Sequence, residues 1–78
     1  MKVTNHTHQF EDCGTAGYSL LDCFTVNDTA SIESVRHFSR VSIQSIAPSR
    51  VVPAVCQVTV TEGGNGAFNV IVERFFNC

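Results

Sequence analysis

The C-terminal third of the chain contains two alternating segments around a glycine-rich turn, and this pattern constrains the fold more than any other. In residues 54–62 and again in residues 67–75, apolar side chains alternate with polar ones. The apolar side chains share one face of each segment: Cys56, Val58 and Val60 in the first, and Phe68, Val70 and Val72 in the second. Gly63-Gly64-Asn65-Gly66 separates the two segments. Strict alternation on both sides of a Gly/Asn turn predicts an antiparallel β-hairpin.

The length of the hairpin loop decides which side chains lie opposite each other. A loop of two residues, 65–66, would place Val58 opposite Glu73. A loop of three residues, 64–66, instead places Val58 opposite Val72. Because opposite residues share a face of the sheet, the second arrangement keeps the valines together. We therefore predict the three-residue loop, with a glycine at its left-handed position.

Residues 28–39 are predicted to form one short helix. Asp28 or Thr29 can cap its N-terminus by accepting a hydrogen bond from a free backbone N–H. Apolar side chains recur every third residue and would cover one side of the helix: Ile32, Val35 and Phe38. Residues 40–46 alternate again, so we predict that they form a strand that adds Val41 and Ile43 to the core.

The N-terminal third is predicted to form an edge strand over residues 2–10, a turn over residues 14–17 and a central strand over residues 18–26. The predicted order is therefore β-β-α-β-β-β, an α+β fold in which one helix packs on a mostly antiparallel sheet of four to five strands. The other predicted core residues lie on the helix and on one face of the sheet: Leu20, Phe24, Ile32, Val35, Phe38, Val58, Val60, Val70 and Val72.

Composition limits the classes of partner. The 78 residues are 44% hydrophobic and 15% charged, with a formal net charge of −2. This length predicts a single domain over residues 1–78, and no segment approaches the roughly 18 apolar residues of a membrane span. The acidic balance argues against nucleic acid as the main partner. Residues 1–8 carry no apolar signal segment, so we expect a cytoplasmic protein with neither a membrane nor a nucleic-acid partner.

Four cysteines leave the redox state open: Cys13, Cys23, Cys56 and Cys78. In a secreted chain they would suggest two disulfides among three possible pairings. In the cytosol, thiols stay reduced. We expect three or four reduced thiols, with disulfides as the alternative.

His6 and His8 form the most site-like motif, because two residues at i and i+2 on a strand point to the same face. With the thiolate of Cys23 they would make a ligand set that zinc accepts. Cys23 reaches that face only if the two strands pair in a register that places polar side chains opposite the core residues of the second strand. The other register places Asp22 opposite His8 and Phe24 opposite His6, and in it we expect no metal. The sequence thus predicts two solvated histidines and no cofactor, with zinc binding as an alternative.

A small thiol enzyme is a further alternative. It would need a cysteine within hydrogen-bond reach of a histidine, with a carboxylate to orient the ring. The candidates are Cys13 or Cys23, His8 or His37, and Asp12 or Asp22. No cysteine stands in the first turn of the predicted helix, where the pKa of a thiol would fall. We therefore predict no catalytic residues.

A binding function remains. In size and general character alone, the chain resembles the small inhibitors that phages and mobile elements encode against host systems such as CRISPR–Cas. One helix can cover only one face of the sheet, so the other face would expose Val55, Ile71 and Phe75 unless the N-terminal segment folds over it. Exposed apolar clusters mark contact surfaces. We expect this cluster to contact a protein partner or a second copy in a homodimer.

Overall fold

A computed structural model describes residues 2–27 and 31–77. Its elements follow in the order β1 (Lys2–Asp12), β2 (Tyr18–Asn27), α1 (Ile32–Ile46), β3 (Val55–Gly64) and β4 (Ala67–Phe76). The four strands form one antiparallel sheet in the order β1-β2-β4-β3. The helix packs on β3 and β4. The predicted α+β fold is confirmed, as are the N-terminal edge strand and the strand that follows it.

Residues 40–46 belong to the helix and are not a strand. Val35, Ser39 and Ile43 follow one another at one-turn spacing and are all buried, so the helical period continues past residue 39. A strand would have buried Val41, whose side chain is 62% exposed. The predicted fifth strand is therefore missing from residues 2–27 and 31–77, and the placement of Val41 in the core is wrong.

Side-chain and backbone contacts fix both ends of α1. Ser31 is the N-cap, and its Oγ accepts a hydrogen bond from the Ser34 backbone N–H at 3.2 Å. The predicted caps, Asp28 and Thr29, lie outside the described residues. At the other end the Ala47 N–H donates to the Ile43 carbonyl at 2.8 Å. Pro48 follows and cannot donate a backbone hydrogen bond, so the helix ends there.

The C-terminal hairpin has the predicted register, but a different loop produces it. Val58 lies opposite Val72, and the other facing pairs follow from it. Only two residues form the turn, Asn65 and Gly66, and both have the positive φ that a type I′ turn requires. A β-bulge at Gly63 absorbs the extra residue of β3 and restores the register of the valines.

The core lies between α1 and the face of the sheet that carries the even-numbered residues of β2 and β4. Its buried members come from strands β2, β3 and β4, from the helix and from the C-cap of the helix: Phe24, Val26, Val35, Ile43, Ala47, Val60, Phe68, Val70 and Val72. Leu20 is also buried, and the partly buried Ile32, Phe38 and Val58 pack against this cluster. Apart from Val41, the predicted core residues therefore contribute to the core.

The cysteines differ in state. Cys13 is disulfide-bonded, so the expectation of reduced thiols is wrong for this residue. Cys23 and Cys56 carry free thiols and are half-buried. Cys78 lies outside the described residues.

No membrane span is found in the described part of the chain. α1 is the one helix among residues 2–27 and 31–77, and it is too short and too polar to cross a bilayer.

Candidate functional site

A buried ion pair joins the two central strands. Asp22 on β2 and Arg74 on β4 have side chains that are 0% and 1% exposed, and Arg74 Nη2 donates to Asp22 Oδ2 at 3.1 Å. Both residues occupy even positions, so their side chains point to the face on which the core lies. A charged group removed from water is costly unless a partner compensates it, and each of these residues supplies the other's opposite charge.

The second oxygen of the Asp22 carboxylate contacts two histidines. Its Oδ1 lies 2.8 Å from His6 Nε2 and 2.7 Å from His8 Nδ1. An ionised carboxylate can only accept hydrogen bonds, so both ring nitrogens donate to it. The imidazoles are 31% and 44% exposed, whereas the carboxylate is buried. Three potential ligand atoms thus converge at the surface, all within 4.8 Å of one another.

A β-bulge in β1 brings these side chains together. His8 lies directly opposite Asp22, and Thr4 lies opposite Thr25. Between these pairs β1 has one residue more than β2, and Asn5 takes the left-handed conformation at φ 56°. The extra residue shifts the pairing of the following part of β1 by one position, so His8 and, two residues before it, His6 lie on the face that carries Asp22. The ring of His6 is edge-on to Phe24 at a centroid distance of 6.3 Å.

Two opposing effects set the charge state of Asp22. Burial is the largest single effect and opposes ionisation, because it removes the carboxylate from water. The hydrogen bonds from His6 and His8 favour the ionised form. The charge of His8 and the hydrogen bond from Arg74 act in the same direction. Together they outweigh burial and hold the pKa of Asp22 below its ordinary value.

Arg74 is only partly satisfied by this pair. Its Nε and Nη1 are buried and have no hydrogen-bond partner within residues 2–27 and 31–77. Asp22 is the one carboxylate that contacts the guanidinium in that part of the chain. The stability of the Arg74 charge therefore depends on this single contact.

Cys23 does not join the histidines. It lies opposite Thr7 on β1 and opposite Ile71 on β4, so its thiol is on the other face of the sheet from Asp22. His37 is exposed on the helix, so the pairing of Cys23 with His8 or His37 that the thiol-enzyme alternative requires does not form. The structure instead brings His6 and His8 together with Asp22. Asp22 thus occupies the position that the zinc-binding alternative assigned to Cys23.

The opposite face of the sheet carries the second predicted group. Val55 lies opposite Phe75, and Thr59 lies opposite Ile71, as the predicted register requires. The side chains of Val55 and Ile71 are 48% and 39% exposed, and Phe75 is half-buried. These apolar residues share the face of the sheet that points away from α1.

Sequence reasoning missed the roles of Asp22 and Arg74, although a signal was present. Asp22 shares its parity with the apolar residues of β2, and Arg74 shares its parity with Val70 and Val72. Two opposite charges that both face the core must be paired with each other, and they can pair only if their strands are neighbours. The pattern therefore indicated that β2 and β4 lie side by side.

Comparison with known proteins gives no family for this chain. No protein-family model matches it, no curated protein is similar to it, and no solved structure resembles it.

Proposed function

We propose that this chain is a small binding protein that acts through protein–protein contact. The observation that supports the proposal is the apolar group Val55, Ile71 and Phe75 on the face of the sheet opposite the helix. We call this group the outer patch. Apolar side chains that gather on one face and are rimmed by polar ones are typical of contact surfaces.

The outer patch is not covered by the N-terminal segment. Strand β1 pairs with β2 at the far edge of the sheet, whereas the patch lies on β3 and β4. The helix packs on the opposite face. Among the residues that the structure describes, no element therefore lies over Val55 or Ile71, and a partner can reach them.

Glu73 favours a partner of different sequence over a second copy. It is half-buried between the side chains of the patch, and it is the one charged residue at the odd positions of β2, β3 and β4. Within residues 2–27 and 31–77 it forms no ion pair. A partner that covers it must supply a cation, since a buried unpaired carboxylate is costly. A second copy centred on the patch would bring a second Glu73 instead. The partner is thus a protein with an apolar surface and a Lys or Arg.

The central test replaces Ile71 by Asp, with Thr61→Asp as the matched control. Thr61 is exposed on the same face, opposite Asn69 and away from the patch. We expect both variants to keep the thermal unfolding midpoint of the original protein. With a photo-crosslinker at Gln57, the original protein and Thr61→Asp should crosslink the same partner in lysate of the native host. Ile71→Asp should lose that crosslink, and Glu73→Lys should weaken it by repelling the partner's cation.

Two results would contradict the proposal, and a third would contradict a partner of different sequence. Unfolding of Ile71→Asp would show that Ile71 belongs to the core. An unchanged crosslinking pattern in Ile71→Asp would show that the patch is not the contact surface. A dimeric mass in solution that becomes monomeric in Ile71→Asp would assign the patch to a second copy of this chain.

The finer form of the proposal is an inhibitor, of the kind that phages and mobile elements encode against host systems. Small size and a single contact surface support it. In this form, the crosslinked partner would be a host enzyme or defence complex. Its activity should fall on addition of the purified chain and should not change on addition of Ile71→Asp.

A further inference from the structure

We propose that His6, His8 and Asp22 form a binding site for one divalent transition-metal ion of the zinc class. The site lies on the helix side of the sheet, near the β1 edge, and so it is separate from the outer patch on the opposite face. It uses two imidazole nitrogens and one carboxylate oxygen, which is a recognised set of three protein ligands for Zn²⁺.

The positions of the ligand atoms need only a small change to hold the ion. The Oδ1 atom of Asp22 is 2.7 and 2.8 Å from the two histidine nitrogens. Around a tetrahedral zinc with bonds of about 2.0–2.1 Å, ligand atoms lie roughly 3.3 Å apart. The two contacts must therefore open by about half an ångström, and the two histidine nitrogens, which lie within 4.8 Å of each other, must reach the same spacing. Both rings belong to an edge strand and are partly exposed, so they have room to move.

Arg74 fixes the orientation of the Asp22 carboxylate in the site. It binds Oδ2 of Asp22 and leaves Oδ1 to the histidines, so the carboxylate is held in one orientation. A ligating carboxylate is commonly oriented in this way by a hydrogen bond to its other oxygen. The guanidinium lies on the buried side of the carboxylate and the imidazoles lie on the exposed side. A water molecule or a small anion can reach the fourth position from solvent.

The ligand types select the class of metal. Mg²⁺ and Ca²⁺ prefer oxygen ligands alone, whereas imidazole nitrogens favour Zn²⁺ and its neighbours in the transition series. Cys23 points to the other face of the sheet, so the set contains no thiolate. A cobalt-substituted protein should therefore show ligand-field absorption without the charge-transfer band of a cobalt–thiolate bond.

A hydrogen-bond network without metal is the competing explanation for the same contacts. In that case the histidines serve only to satisfy the lone pairs of Asp22 that Arg74 leaves free. The two explanations differ in one measurable property, the affinity of the folded chain for Zn²⁺.

The experiment titrates Zn²⁺ into the full chain, freed of any purification tag and of chelator, in competition with a chromophoric chelator. We expect one Zn²⁺ per chain. His6→Ala and His8→Ala should each weaken binding by about 100-fold or more, since loss of even an outer-shell partner costs about 10–100-fold. His37→Ala is the matched control because His37 is exposed on α1, away from the site. It should bind as the original protein does, and so should Cys23→Ser.

Thermal melts without zinc check that each variant is folded. If an alanine variant is not folded, His6→Gln or His8→Gln takes its place. The proposal is overturned if the folded original protein does not bind Zn²⁺, which would leave the hydrogen-bond network alone. It is also overturned if the double variant His6→Ala/His8→Ala retains the affinity, or if His37→Ala or Cys23→Ser loses it.

Discussion

Val3 and His8 lie on the same face of the sheet, although they are five positions apart. In an unbroken strand, an odd separation places two side chains on opposite faces. Val3 packs against the core, and His8 contacts the buried Asp22 on the same side. The bulge at Asn5 makes both contacts possible. The N-terminal anchor in the core and the histidine cluster therefore depend on one residue with an unusual backbone conformation.

The first prediction concerns this residue. Asn5 has φ 56°, which Gly and Asn tolerate and a β-branched residue does not. Asn5→Val should therefore lower the free energy of unfolding by about 1–3 kcal/mol, and Asn5→Gly should change it by less than about 0.5 kcal/mol. The measurement is the urea midpoint of each variant. Equal midpoints for the two variants would show that the bulge does not need a left-handed residue.

The buried ion pair gives the second prediction. Asp22→Ala leaves the Arg74 charge buried without its partner, so it should cost about 3–5 kcal/mol. The double variant Asp22→Asn/Arg74→Met removes both charges and should be more stable than Asp22→Ala. Chemical unfolding of both proteins tests this order. If the double variant is the less stable of the two, the ion pair stabilises the fold by more than the mutual compensation of its two charges.

The third prediction is a dependence on pH. The folded protein lowers the pKa of Asp22 below its unfolded value of about 3.8. Its contribution to stability is complete above the unfolded pKa. It falls as the pH drops below 3.8, because the unfolded chain then binds the proton first, until Asp22 itself is protonated in the folded state.

The measurement is the free energy of unfolding at several pH values between pH 6 and pH 2. The stability lost over this range is on the order of 1.4 kcal/mol for each unit by which the pKa of Asp22 is lowered. The original protein should lose stability more steeply below about pH 4 than the variant Asp22→Asn/Arg74→Met. Glu62→Gln is the control, because Glu62 is exposed, and it should follow the original protein. Parallel curves for the original protein and the double variant would contradict the lowered pKa.

The fourth prediction tests the core and the correction to the helix together. Val70 is 1% exposed in the centre of the sheet, and Val41 is 62% exposed on α1. Val70→Ala should cost about 1–3 kcal/mol. Val41→Ala should change stability by less than about 0.5 kcal/mol, since alanine also has the higher helix propensity. Thermal or urea unfolding measures both. A large loss in Val41→Ala would mean that residues 40–46 pack as a strand.

The sequence was sufficient to predict the C-terminal hairpin, because each strand has a row of apolar side chains on one face. A shift of one residue would have placed Val58 against a charged side chain, so the register followed from the matching of faces. The loop was less predictable. A turn with a bulge and a longer loop give the same pairing, and only the backbone conformation at Gly63 and its neighbours distinguishes them.

Two other features could not be predicted, for different reasons. Ile43 fits a strand that starts at residue 40, and it also fits a helix that continues from Ser39, so only the packing on the sheet decides. The register of β1 that places Asp22 opposite His8 was one of the two considered, and it is the one observed. The residues on both faces of β1 are mostly polar, so no apolar pattern reveals the bulge within that register. The convergence of His6 and His8 on Asp22 depends on that register.

Both edge strands carry a bulge, and no register shift separates the two inner strands β2 and β4. Each bulge adds a residue on the outside of the sheet, at Asn5 in β1 and at Gly63 in β3. An exposed strand edge is a template on which other chains can add strands and start fibrils, and a bulge interrupts the regular row of free N–H and C=O groups. The same irregularity that orients the histidines therefore also protects one open edge of this small sheet from aggregation.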